Sequence, residues 1–189
     1  MPRTLTSILT VIILNVLFSC GDAPEGDSAP GRVIDYAAFD KKVAGIRAFY
    51  KAHAAEDIAT LSELLSDTLK WCPADNNGNS WLGKEDYLKS LQNWHDTFED
   101  IEFIEGIHIP GKQGIGYWSG SIFPEEAAHY SPVTIRAYGT WTALHAVSGK
   151  KVGTKFFSMI TFNTAGKISQ VSDYFDMGNL LPQQNYTEK

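Results

Sequence analysis

The sequence predicts an α+β fold in which three N-terminal helices pack on one face of a curved, mostly antiparallel sheet. Two observations predict it. Three stretches with the 3.6-residue apolar period of amphipathic helices precede nearly all the strand-like sequence, and three long alternating runs near the C-terminus are joined by loops of hairpin length. Helices and strands segregated in this way must bury their apolar faces against each other. A chain of 189 residues, 43% of them apolar and 12% aromatic, has the material for one such core.

The first residues stand apart from that domain. "MPRTLTSILTVIILNVLFSC" has a positive start at Arg3, an apolar run over 8–18 that is short for a membrane span, and a small residue before a cysteine. It reads as an export signal. Residues 17–20, Leu-Phe-Ser-Cys, resemble the lipobox of bacterial lipoproteins, which implies cleavage before Cys20 and lipidation of that residue. An ordinary secretory peptide and an uncleaved anchor helix are the alternatives. The Gly-, Pro-, Ser- and Asp-rich stretch that follows behaves as a flexible tether. The expected organisation is a signal peptide over 1–19, a tether over 20–32, the domain over 33–182 and a tail over 183–189. The exported domain would then be attached to a bacterial membrane by the lipid on Cys20 alone, on the periplasmic or outer-surface side.

The elements follow in order. Over residues 36–53, Phe39, Val43, Ile46, Phe49 and Tyr50 recur at helical spacing among charged residues. In "EDIATLSELLSD", Asp57 is a natural cap and Ile58, Leu61, Leu64 and Leu65 form a second, shorter stripe. "TLKWC" is a brief strand stopped by Pro73 and a run of turn formers. Tyr87, Leu88, Leu91, Trp94, His95 and Phe98 make the stripe of a third helix over 84–98. "DIEFIEGIHIP" alternates as a strand. The segment 111–132, punctuated by Gly and Pro yet carrying Tyr117, Trp118, Phe123 and Tyr130, is either a lid or an extra hairpin. "VTIRAYGTWTALHAV", "KKVGTKFFSMITFN" and "KISQVSDYFD" form an antiparallel meander, and "MGNLLPQQ" closes the domain as a short helix or extended tail.

This order resembles the nuclear transport factor 2-like superfamily, and its SnoaL-like branch in particular. "FYKAHAAEDIATLSELLSDTLKW" is similar to that family's opening helix pair and first strand, "GKEDYLKSL" to its third helix and "GKISQVSDYFD" to its final strand. The resemblance spans most of residues 33–181. It implies a cone-shaped α+β barrel of the cystatin-like type, an apolar pocket between curved sheet and helices, and often a homodimer paired through the sheet.

Several chemistries have little support in the residues. A net charge of −6 with scattered charges makes nucleic acid and anionic lipid poor partners. The five histidines have no metal-ligand spacing, and neither a phosphate loop nor a nucleophile elbow is present, so no metal and no cofactor is expected. Cys72, the only cysteine besides Cys20, reads as a small apolar residue.

The candidate that remains is Asp173. On a regular strand it shares a face with Val171 and Phe175, opposite Ile168, Gln170, Ser172 and Tyr174. If the first face is the covered one, Asp173 is a carboxylate in apolar surroundings and a competent acid or base; if the second is, it is solvated. "SDYFD" resembles the final strand of the limonene epoxide hydrolase branch, whose first aspartate is catalytic and matches Asp173, which implies a place in the pocket. That branch's arginine and second aspartate fall on Ala137 and Gly139, and its tyrosine and asparagine on Lys70 and Cys72, so its hydrolytic set is missing. Asp176 reads as a strand end. His95 and Tyr138 are the polar groups that could assist Asp173. Trp71, Trp94 and Trp118 come from the elements that rim the pocket in this fold, and their rings suit a small apolar or aromatic ligand. Two functions follow: a surface-anchored binding protein for such a molecule, or a cofactor-free isomerase, dehydratase or cyclase with Asp173 as general acid or base.

Overall fold

The computed structural model describes residues 36–75, 78, 80–106, 117–120 (backbone) and 134–185. The signal segment, Cys20, the tether, most of segment 111–132 and the side chain of Trp118 lie outside the described residues. Among the described residues no helix is long and apolar enough to cross a membrane.

Helix α1 (Tyr36–Ala54) buries Val43, Ile46, Phe49, Tyr50 and His53 along one side. Its chain turns at Glu56, which takes a φ of 58°, and restarts at Asp57, whose carboxylate accepts the Thr60 N–H at 2.9 Å to cap α2 (Ile58–Leu64). The apolar stripe of α2 extends to Leu65, but the helix does not. Leu65 is already extended and pairs with Ile168, so β1 (Leu65–Cys72) begins earlier than the sequence suggests. Burying Leu65 in a ladder prevails over one more helical residue. Helix α3 (Lys84–Thr97) starts at Gly83, whose N–H is accepted by Asp86 at 3.2 Å, and buries Tyr87, Leu91 and His95. It runs directly into β2 (Phe98–Glu105).

The remaining strands are β3 (Tyr117–Gly120), β4 (Thr134–His145), β5 (Lys151–Phe162) and β6 (Ile168–Phe175). They form a six-stranded sheet in the order β1-β6-β5-β4-β2, with β3 also on β4. Among the described pairings only β1 with β6 is parallel. The 111–132 segment therefore contributes a strand. Glu105 of β2 pairs with Gly139 and Tyr117 of β3 with Tyr138, so β3 resumes on β4 where β2 leaves off. Helix α4 (Leu180–Asn185) continues past residue 182, where the sequence suggested a tail. Gln183 fastens it to β5, accepting the Gly153 N–H at 2.8 Å and donating to the Gly153 carbonyl at 3.0 Å.

Cross-strand partners define the covered face of the sheet. Ala137, Ser158 and Asp173 are opposed in one row, and Gly139, Phe156 and Phe175 in the next. Gly139 is obligatory there, since a Cβ would stand 2.3 Å from the Phe103 ring and 2.6 Å from the Ile104 carbonyl oxygen. β6 departs from strict alternation. Thr161 pairs with Gln170 but Phe162 with Ile168, and this bulge beside Ser169 brings Ile168 into the same core as Val171.

Candidate functional site

Between α1, α3 and the covered face of the sheet lies a cleft, partly open to solvent, with a cavity volume of about 70 Å³. Each element contributes side chains because its apolar stripe faces inward. Phe49, Tyr50 and His53 come from α1; Tyr87, Leu91 and Trp94 from α3; Trp71 from β1; Trp141, Phe156 and Phe175 from β4, β5 and β6; Leu180 from α4. The rings brace one another. Trp71 lies 4.8 Å from Tyr87, which stacks on Phe49 at 5.9 Å, and Tyr50 meets Trp141 edge-on at 5.2 Å. Such a wall offers flat apolar surfaces at low conformational cost.

Asp173 is the one carboxylate among the described residues lining this wall, and it is 7% exposed. Trp71 Nε1–H donates to its Oδ2 at 2.9 Å, while Oδ1 has no hydrogen-bond partner among the described residues. Ser158 stands opposite in the ladder. Its hydroxyl steadies the charge without reaching hydrogen-bond geometry, so Ser158 Oγ is also unpartnered among the described residues. Burial outweighs the help from Ser158 and Trp71 and pushes the Asp173 carboxyl up to about 6. Tyr50 and Tyr87 are raised well above the ordinary phenol value, first by burial and then by the charge of Asp173. Both phenols remain protonated donors.

The other residues marked by the sequence fall in different places. Trp71 and Trp94 line the cleft. Tyr138 does not, and its assignment as a helper of Asp173 is corrected here. It stacks on Phe157 at 4.8 Å, which stacks on Tyr174 at 5.3 Å, and these three occupy the strand positions that alternate with Ala137, Ser158 and Asp173. The pleat puts Tyr138 on the opposite face. His95 is likewise absent from the lining. It is bonded to His53, which is in the lining, with His53 Nδ1 2.9 Å from His95 Nε2. Asp176 ends its strand, its Oδ1 accepting the Asn179 N–H at 3.1 Å. Cys72 is half-buried.

Tyr50, His53, Tyr87, Ser158 and Phe175 complete the site without having been singled out from the sequence. Periodicity gives a signal for four of them: Tyr50 and His53 lie on the α1 stripe with Ile46 and Phe49, Tyr87 on the α3 stripe with Leu91, and Phe175 on the strand face of Asp173. Nothing local links His53 to His95, which are 42 residues apart.

No family model matches the chain, and no curated protein matches it in sequence. Solved structures do match. An NTF2-like protein from Burkholderia xenovorans is 15% identical with a TM-score of 0.52, covering 77% of this chain and 97% of its own. A candidate polyketide cyclase from Xanthomonas campestris is 12% identical with a TM-score of 0.58, over 78% and 99% of the two chains. IdmH, a candidate polyketide cyclase from Streptomyces antibioticus, is 14% identical with a TM-score of 0.57, over 77% and 99%. At such identities the likeness is one of architecture: helices closing the concave side of a curled sheet over an aromatic cleft give this chain the nuclear transport factor 2-like, SnoaL-like fold.

Proposed function

We propose that the cleft binds a small, flat, largely apolar ring compound and that Asp173 exchanges a proton with it, in the manner of an isomerase, dehydratase or cyclase. The observation that carries this reading is the placement of one buried carboxylate, raised to about 6, in a wall made mainly of aromatic and aliphatic side chains. At pH 7 a group with that value is about 90% ionised, so it is available as a base, and its proton affinity is close to the operating pH. Protonated Tyr50 and Tyr87 are donors suited to charge that develops on a bound molecule. The two neighbours described as candidate polyketide cyclases support ring compounds as the class to test.

The residues present do not fit epoxide hydrolysis of the limonene type. Ala137 is fully buried, and at Gly139 any side chain would meet Phe103 and the Ile104 carbonyl. The second reading, binding without chemistry, is favoured by the same scarcity of ionisable groups. Deuterium incorporation separates the two. Enolisable ring ketones incubated with the protein in D2O should gain deuterium, read by mass spectrometry, with wild type and not with Asp173→Asn. A wild-type protein that binds these ketones without exchanging their protons would leave the binding reading in place.

The sequence of residues 1–32 also supports attachment of this domain to an extracytoplasmic bacterial membrane surface through lipid on Cys20.

A further inference from the structure

Two histidines from different helices meet at the edge of the cleft. His53 of α1 and His95 of α3 are 7% and 8% exposed, and their nitrogens Nδ1 and Nε2 stand 2.9 Å apart. Two bare lone pairs at that distance would repel, so one hydrogen lies between them. Both rings are neutral at pH 7: burial, then the neighbouring ring, presses His53 down to about 3, and burial lowers His95 as well.

Which ring supplies the hydrogen follows from the far side of His95. Its Nδ1 is buried and has no hydrogen-bond partner among the described residues. A neutral imidazole has one N–H and one lone pair, and an orphaned buried N–H is the rarer of the two. Nδ1 is then the lone pair and Nε2 carries the hydrogen. With His95 Nε2–H donating to His53 Nδ1, the hydrogen of His53 sits on its own Nε2. That nitrogen makes no hydrogen bond among the described residues, and His53 lines the cleft. The His53 ring is also held edge-on against Trp141, with centroids 4.9 Å apart at 78°.

We propose that His53 Nε2–H is a donor held ready for the ligand, that the ligand is a ring compound bearing a carbonyl or equivalent acceptor oxygen, and that His95 is the positioning residue that fixes the His53 tautomer. This rests on the cleft being the ligand site, as proposed above, and deepens that reading by naming the ligand's polar group. A fixed donor on the oxygen is also what a carbonyl compound needs when a neighbouring C–H gives its proton to a carboxylate. The bonding pair then moves into the ring and the charge gathers on the oxygen.

The probes are 2-tetralone and tetralin, a bicyclic ketone and its hydrocarbon. Wild type should bind the ketone about tenfold more tightly, the effect of one desolvated hydrogen bond. His53→Phe and His95→Leu should bind the two probes alike. His95→Gln, whose amide N–H stands in for Nε2–H, should restore the preference. Two-bond 15N–1H correlation spectra of histidine-labelled protein should place the hydrogen on Nε2 in both rings. A hydrogen on His53 Nδ1, a ketone preference that survives His53→Phe, or equal or absent binding of the two probes by wild type would each overturn the proposal. Failure of the proton-transfer reading looks different: the ketone preference is present and depends on His53, yet no deuterium enters the ring in D2O.

Discussion

At Asp173 the folded protein prefers the protonated carboxyl, because its value of about 6 stands above the ordinary 3.8. Below pH 3.8 folded and unfolded states both carry the proton and the preference costs nothing. As pH rises from there through 6, the unfolded chain releases its proton first and stability falls, by about 3 kcal/mol in all. Asp173→Asn, which can still accept from Trp71, should therefore melt higher than wild type at pH 8 and alike at pH 3.5. Calorimetry at the two values checks this. Proton exchange should run the other way, rising through pH 6 to a plateau as the base ionises. Trp71→Phe removes the donor that lowers the Asp173 value while keeping a ring beside Tyr87. The midpoint of the pH profile should then move up by roughly one unit, as loss of a hydrogen bond to a charged group implies.

Among the elements, β4 has the least freedom at Gly139. Because one of the three obstructing atoms belongs to the Ile104 backbone, rotamer change alone cannot relieve a methyl group there. Gly139→Ala should cost on the order of 1–3 kcal/mol in urea unfolding, the usual range for overpacking. Periodicity made most of this architecture legible. The stripes of α1 and α3 and the alternation of β4, β5 and β6 describe faces that each element buries by itself. What escaped it depends on partners distant in sequence. Leu65 belongs to the α2 stripe until β6 pairs with it, and Ile168 belongs to the outer face until the bulge beside Ser169 turns it inward. For the site, alternation identified the strand face that holds Asp173. The same rule, applied across the ladder, places Tyr138 away from it; its polar hydroxyl, not its strand position, drew attention to Tyr138. The contact between His53 and His95 exists only because α1 and α3 pack side by side over the sheet.

For the whole molecule, the cleft draws on three helices, α1, α3 and α4, and on five strands, so no shorter piece of the domain should hold ligand. The segment before it makes a separate prediction. If Cys20 carries lipid, the full-length chain expressed in a bacterium should sediment with membranes and take up labelled fatty acid, and Cys20→Ser should abolish both. Retention in the membrane after that change would favour the uncleaved anchor helix. Since Glu105 and Tyr117 sit on successive rungs of β4, an excursion inserted between them leaves the pairing on either side unaltered. The entropy of such an excursion grows only slowly with its length, about 0.6 kcal/mol per doubling. That edge is where this fold can gain or lose sequence at least cost, and where a fluorophore or an affinity tag can be spliced while the wall that carries Asp173 keeps its register.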